Sequence, residues 1–264
     1  MLTFVGLGLY DERSITVEGR DALRAADRAF AEFYTSRLVG TSVEALEAHH
    51  GVDIEVRDRA GVEQEPGPIL DAAEAGDAVF LTAGDAMIST THVDLRLRAV
   101  DRGIDTRVVH GVTAQSAASG LTGLQNYRFG KAVTLPFPRA HGGGDVPASV
   151  VDSVAANRER GLHTLVYLDI KVDDGRGPDA GERFMTADVA AGLLATEWPD
   201  RLGVVVARAG SPDPVVAADR LERLAGRDFG APLHLLVLPD DVHHLEADAL
   251  RTLAGAPDDS LPDE

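Results

Sequence analysis

Two glycine-containing turns, each directly after a short apolar run, are the first candidates for ligand contact in this chain. Residues 6–8 read Gly-Leu-Gly, and Gly84 and Asp85 follow the run "AVFLT". In open α/β sheets, ligands bind at the carboxyl ends of strands, where both turns are predicted. The first turn lacks the third glycine of the dinucleotide fingerprint, because Asp11 occupies that position. Either turn could instead only reverse the chain, with Asp85 capping the next helix.

The histidines and serines form no recognised catalytic signature. His92 and His110 fall near predicted strand ends, where a histidine is more often a hydrogen-bonded structural residue than a catalyst. His243 and His244 are adjacent, so on a helix they would point to different faces. The motifs HExxH, GxSxG and GxxxxGK[ST] do not occur. These observations argue against zinc-protease, serine-hydrolase and P-loop nucleotidase chemistry, and we predict no metal site.

The composition bounds the class of protein. The 264 residues are 44% hydrophobic and 26% charged, which is ordinary for a soluble globular protein. There is no cysteine, which excludes disulfides, thiol nucleophiles and thiolate metal sites. The net charge of −18 favours a halophilic source and argues against a broad nucleic-acid surface. With no apolar run of membrane-spanning length and no recognisable signal peptide, we expect a cytoplasmic protein.

Short apolar runs alternate with amphipathic stretches in the first half, a βαβα rhythm that predicts a parallel sheet covered by helices. The strands are predicted over 2–5, 28–33, 54–56, 78–82 and 106–110. The helices are predicted over 17–29, 42–50 with Ser42 as N-cap, 68–75 and 92–101. Residues 111–124 are rich in small side chains, which indicates tight packing or a ligand wall rather than a bulky core helix.

The second half repeats the alternation. Strands are predicted over 132–135, 163–170, 204–207 and 234–238, and helices over 150–160, 186–197, 213–224 and 242–254. Residues 136–147 and 172–183 are predicted loops, and the tail from 256 is expected to fray. We therefore predict two α/β domains, 1–110 and 111–264, with a ligand cleft where they meet.

Three stretches together carry a resemblance to a known family. They read "GLGLYDERSITVEG" (6–19), "FAEFYTS" (30–36) and "LTAGDAMISTTH" (81–92), and the similarity continues to residue 257. The chain resembles the diphthine synthase family of the tetrapyrrole (uroporphyrin-III/precorrin) methylase superfamily over nearly its whole length. The resemblance implies two α/β domains with a cofactor cleft between them, a fold other than the Rossmann methyltransferase fold, and a homodimer.

The resemblance also implies the reaction. Members of the family are S-adenosylmethionine-dependent methyltransferases, which leave S-adenosylhomocysteine as product. Their substrate is translation elongation factor 2, whose modified histidine carries a 3-amino-3-carboxypropyl group. Methylation of its amino group, to the trimethylammonium form in archaeal members, gives diphthine in diphthamide biosynthesis. Such in-line methyl transfer needs alignment more than acid–base groups, so we assign no catalytic residue.

The cofactor contacts transfer by similarity to eight positions of this sequence. They are Leu9, Asp85, Ile88, Thr113, Ala114, Leu168, Ala209 and His234. Two positions depart from the family pattern, since Ala86 replaces a usual proline and Thr113 replaces a usual serine.

Two alternative functions are also considered. One is methylation of a corrin or porphyrin precursor, which would be preferred if "AEFYTS" were missing. The other is a non-catalytic nucleotide-binding module. Whether residues 10–13 face a protein substrate or only finish the turn is left open by the sequence.

Overall fold

The computed structural model describes residues 1–138, 146–171 and 182–261. The chain divides into two compact units, Met1–Ala114 and Gln115–Glu264. Within the described ranges, no helix is both long and apolar enough to cross a membrane.

The first unit is built on a five-stranded, entirely parallel sheet with the order β3-β2-β4-β1-β5. Its strands are β1 (Leu2–Gly6), β2 (Arg28–Glu32), β3 (Ile54–Val56), β4 (Ala78–Thr82) and β5 (Thr106–Val109). Its helices are α1 (Val17–Ala25), α2 (Val43–His50), α3 (Arg59–Glu63), α4 (Gly67–Ala75) and α5 (Val93–Asp101). Every residue of β1 and β4 is buried, as expected for parallel strands covered on both faces.

Side-chain caps begin three of these helices. The predicted N-cap Ser42 is confirmed, since its hydroxyl accepts from the Ala45 N–H at 3.2 Å. Asp58 similarly caps α3, a five-residue helix that the sequence analysis did not predict. Helix α1 ends at Ala25 rather than at the predicted residue 29. Residues 28–32 instead form β2 and pair with β4, as the strand predicted over 28–33 required.

The second unit contains a mixed sheet with the order β11-β10-β12-β7-β6. Its strands are β6 (Val133–Leu135), β7 (Thr164–Leu168), β10 (Leu202–Ala207), β11 (Val215–Arg220) and β12 (His234–Leu238), and a separate pair joins β8 (Ile170–Lys171) to β9 (Arg183–Phe184). Its helices are α6 (Ala114–Thr122), α7 (Ala148–Arg158), α8 (Ala187–Ala195), α9 (Leu221–Leu224) and α10 (His244–Ala254). Only β6 and β7 pair in parallel in this sheet, whereas the parallel sheet predicted for the first half is confirmed.

Two sequence predictions for the second half, the helix over 213–224 and the frayed tail, are wrong. Residues 213–224 are not mainly helical, because Val215–Arg220 forms a strand that pairs along all of β10. The small-residue stretch 111–124 contains a helix, α6, which is built mostly from Ala, Ser, Gly and Thr rather than from bulky side chains. The tail from 256 is ordered through residue 261, with a 3₁₀ turn at Asp258–Ser260 and a buried Leu261. Most of the two predicted loops, 136–147 and 172–183, lies outside the described residues.

Candidate functional site

Four glycines allow the loops after β4, β1 and β5 to pack backbone against backbone. Gly8 and Gly84 exchange two hydrogen bonds, of 3.1 and 2.7 Å between N and O. A Cβ added to Gly6 would lie 2.6 Å from both the Gly111 nitrogen and the Gly84 oxygen, far inside van der Waals contact. The Gly-Leu-Gly turn therefore serves loop packing, a role that the sequence did not reveal.

Asp85 holds this junction together. Its side chain is almost fully buried, and its Oδ1 accepts from the Met87 N–H at 2.8 Å. Its Oδ2 accepts from the Gly111 N–H at 3.2 Å and lies 2.7 Å from Nδ1 of the exposed His110. The carboxylate thus stabilises a turn, as the purely structural alternative for Asp85 proposed. It also ties that turn to the loop after β5.

The structure places the predicted first-unit contacts in the loops that follow three neighbouring strands. Leu9 follows β1, Asp85 and Ile88 follow β4, and Thr113 and Ala114 follow β5. Ile88 is exposed, and Leu9, Thr113 and Ala114 are half-buried. Gly84 has φ +77° and open space where a Cβ would project. This sheet edge therefore combines aliphatic side chains with accessible backbone, as a small-molecule site requires.

Residues 10–13 take part in finishing the turn. The Tyr10 ring lies against Gly40, and the Tyr10 carbonyl accepts from the Gly40 N–H at 2.8 Å. The Asp11 carboxylate accepts from the backbone and guanidinium N–H groups of Arg13. The Glu12 carbonyl lies 3.1 Å from Nε2 of His50. Most of the stretch is thus bound within the first unit, and the Arg13 side chain is its exposed part.

The predicted second-unit contacts lie together at one edge of the second sheet. Leu168 ends β7, Ala209 follows the end of β10, and His234 begins β12. Because β12 runs antiparallel to both neighbours, its first residue lies beside their last ones. The structure therefore brings these three positions together within their own unit.

The imidazole of His234 is fully used inside the protein. Its Nδ1 accepts from the Ala187 N–H at 3.0 Å, and its Nε2 donates to the Ala231 carbonyl at 2.9 Å. Burial lowers the pKa of His234, which favours this neutral, doubly bonded ring. A hydrogen bond from this residue to a ligand must therefore use the backbone.

Sequence reasoning missed Arg208, which supports the turn carrying Ala209. Arg208 has φ +52°, a region that non-glycine residues rarely adopt. Its Nη1 donates to the carbonyls of Phe229 and Ala231 at 2.7 and 2.9 Å. These bonds fix the turn. The arginine that begins "RAGS", directly before Ala209, was the sequence feature that could have indicated this role.

Glu32, the buried neighbour of the candidate His92, was missed in the same way. Glu32 is the last residue of β2 and His92 precedes α5, and neither side chain is exposed to solvent. Oε1 of Glu32 lies 3.5 Å from Nε2 of His92. The sequence feature that could have indicated this role is the glutamate that ends the predicted strand in "FAE", since carboxylates are rarely buried without a specific partner.

The prediction that His243 and His244 point to different helix faces is wrong. His243 is the N-cap of α10 rather than a helical residue, and its Nδ1 accepts from the Leu245 N–H. The two ring centroids are 3.9 Å apart. Over residues 1–138, 146–171 and 182–261, no group of three or more His, Asp or Glu side chains is placed to hold a metal ion.

Comparison with known proteins gives a consistent result. Residues 1–225 match the family model described as Tetrapyrrole (Corrin/Porphyrin) Methylases. A protein from Halorubrum lacusprofundi named "Diphthine synthase" is 76% identical, covering 97% of this chain and 98% of that protein. One of the same name from Halobacterium salinarum is 74% identical, covering 99% and 100%.

Solved structures agree with the sequence matches. A structure titled "Crystal structure of diphthine synthase" superposes with a TM-score of 0.87 at 38% identity and covers 98% of both chains. A putative diphthine synthase from Entamoeba histolytica has a TM-score of 0.84 at 33% identity, covering 97% of this chain and 99% of its own.

Proposed function

This chain belongs to the tetrapyrrole (corrin/porphyrin) methylase family and is a methyltransferase, and on that premise we propose its methyl donor and acceptor. The predicted resemblance and the tetrapyrrole methylase-like α/β fold class are confirmed. The donor is S-adenosylmethionine. The acceptor is the amino group of the 3-amino-3-carboxypropyl-histidine in elongation factor 2, which is methylated up to the trimethylammonium form. The protein thus forms diphthine in diphthamide biosynthesis.

The observation that carries this proposal is near full-length identity to proteins named for the reaction. Six relatives named "Diphthine synthase" share 67–76% of their residues with this chain over 97–100% of its length. Identity of this extent over the full length supports the same substrate for this chain. The family model alone would also fit a corrin or porphyrin methylase, so the support for the proposed substrate comes from these relatives.

The residues at the two sheet edges suit S-adenosylmethionine. Leu9, Ile88 and Ala114 offer aliphatic surface, and Gly84 leaves its backbone open to close approach. Backbone groups at Leu168, Ala209 and His234 are the proposed second-unit contacts, since the His234 ring is already bonded. When bound, S-adenosylmethionine supplies an electrophilic methyl group on its sulfonium.

The contribution of the chain itself is to position the reactants and exclude water. The rigid junction around Asp85 holds the loop that would bind the cofactor, so less ordering is needed on binding. The attacking amine must be neutral, and surroundings of aliphatic side chains disfavour its ammonium form. With positioning and desolvation supplied in this way, the reaction needs no catalytic base from the chain.

Radiolabelled methyl transfer tests the proposal. The full chain, S-adenosylmethionine and elongation factor 2 carrying the carboxypropyl-histidine are mixed in molar salt, which suits a surface of net charge −18. We expect label on the modified factor and none on a control factor with an unmodified histidine. Tight S-adenosylmethionine binding without label on the factor would refute the substrate, and label on a corrin precursor would support the alternative.

We also propose a homodimer that acts in the cytoplasm with its elongation factor. Supporting the dimer, Val93, Leu97 and Val100 form an apolar stripe on α5, each more than half exposed. Their spacing of four and three residues places them on one helix face. Light scattering in molar salt should report twice the 27.9 kDa chain mass, and Leu97→Glu should shift it toward one chain. A monomeric wild-type protein would refute this arrangement.

A further inference from the structure

The buried carboxylate of Glu32 builds the turn that follows β2. Its Oε2 accepts from the N–H groups of Tyr34 and Thr35, both at 3.0 Å, and its Oε1 accepts from the Thr35 hydroxyl. This turn is the segment "EFYT" of the motif that distinguishes this family branch. Glu32 therefore sets its shape from inside the protein.

His92 lies between this turn and the loop 84–88. A backbone carbonyl can only accept, so Nδ1 of His92 carries the proton and donates to the Ala86 oxygen at 3.1 Å. Nε2 faces Glu32 Oε1 at 3.5 Å without a hydrogen-bond partner among the described residues. The ring also packs edge-on against Phe80, with centroids 5.1 Å apart. The ring thus bonds the loop after β4 and lies against the Glu32 turn without a hydrogen bond to it.

A buried ring nitrogen left without a partner is costly, so a histidine that merely filled the core would be replaced by an apolar residue at little loss. The ring instead bonds Ala86, whose neighbour Asp85 ties the same loop to Gly111. Two hydrogen bonds, from His92 and to Gly111, therefore hold the loop carrying the proposed contacts Asp85 and Ile88. Loss of either bond would let the loop move away from its binding geometry.

We propose that His92 is a positioning residue for methyl transfer, because it holds the loop 84–88 through Ala86 in register with the turn built by Glu32. The inference rests on the proposed function, since it takes that loop to bind S-adenosylmethionine. His92 touches no reacting atom. Its effect appears in cofactor affinity rather than in the chemical step.

Two amide variants separate this role from a packing role. His92→Asn keeps an N–H donor at the place of Nδ1, whereas His92→Gln moves the amide toward Nε2 and Glu32. Both lose the ring packing against Phe80, so we expect similar losses in melting temperature. We expect the Kd and KM for S-adenosylmethionine to rise about tenfold more in His92→Gln than in His92→Asn, with little difference in kcat. Equal affinities in the two variants would overturn the proposal.

A second measurement needs no substitution at the site. The ¹⁵N chemical shifts of the His92 ring should identify a neutral Nδ1–H tautomer. These chemical shifts should change when S-adenosylmethionine is added to the full chain. His163, which is equally buried and bonds Glu246 at 3.0 Å near the start of β7, is the internal control and should shift less. An unchanged His92 resonance with bound cofactor would overturn the inference alone. Absence of any cofactor binding by the wild-type protein would instead overturn the proposed function, and this inference with it.

Discussion

Replacing Gly6 with alanine is the sharpest test of the junction between the strand-end loops. Gly6 ends β1, and an added Cβ would lie 2.6 Å from both the Gly111 nitrogen and the Gly84 oxygen. Ordinary contact begins near 3.4 Å, so two backbones must each retreat by about 0.8 Å. Neither neighbour is a flexible side chain that could rotate away.

The cost can be worked from what that retreat disrupts. The Gly8–Gly84 hydrogen bonds of 3.1 and 2.7 Å would lengthen toward their limit, at about 1 kcal/mol each. Overpacking adds about 1–2 kcal/mol. We expect Gly6→Ala to lower the free energy of unfolding of the first unit by about 3 kcal/mol, which corresponds to roughly 10 °C in melting temperature for a domain of this size.

Thermal unfolding in molar salt, followed by circular dichroism, measures this loss. Gly120→Ala is the matched control, because Gly120 lies inside α6 with no atom within 4 Å of an added Cβ. Alanine should stabilise that helix by up to about 1 kcal/mol. If Gly6→Ala melted within about 2 °C of the wild-type protein, the inference that the three loops pack too closely for a Cβ would be wrong. The affinity for S-adenosylmethionine should fall together with the melting temperature in Gly6→Ala and stay unchanged in Gly120→Ala.

Three further predictions concern single polar side chains. Asp85→Asn should weaken S-adenosylmethionine binding about tenfold by calorimetry, because an amide cannot accept at both oxygen positions; unchanged affinity would mean that the loop is only a turn. Asn157→Asp should lower the free energy of unfolding, measured by urea denaturation, by about 3 kcal/mol, because Asn157 Nδ2 donates to the Lys131 carbonyl and the Thr164 hydroxyl; an unchanged urea midpoint would contradict this. Burial raises the pKa of Glu246, but donors from its neighbours lower it more, so the net pKa lies below its usual range. Glu246 therefore stabilises the folded protein fully above its unfolded-state pKa, and this stabilisation is lost as the pH falls through the lowered folded-state pKa. The difference in free energy of unfolding between the wild-type protein and Glu246→Gln should therefore narrow in acid. A difference independent of pH would refute this.

The positions of most elements followed from local pattern. Strands at residues 54–56, 78–82 and 234–238 have the predicted bounds, because short apolar runs between turn signals mark buried strands. Ser42 marked its helix because a side-chain cap is a local interaction. The family motifs were equally local, so the resemblance could be stated from the sequence.

What depended on partners distant in sequence could not be predicted. Residues 215–220 look helical by local spacing, and only pairing with β10 makes them a strand. The functions of Glu32 and His92 depend on atoms brought together by the sheet order β2-β4, since 60 positions separate the two residues in the chain.

The Gly-Leu-Gly turn shows where this division falls. The sequence by itself determined that the chain turns after β1 and that the turn is not a dinucleotide fingerprint, because the spacing of glycines is a local property. Only the tertiary structure decided why residue 6 must be glycine. The parallel order β4-β1-β5 brings Gly84 and Gly111 to the same strand end, where no volume is left for a Cβ.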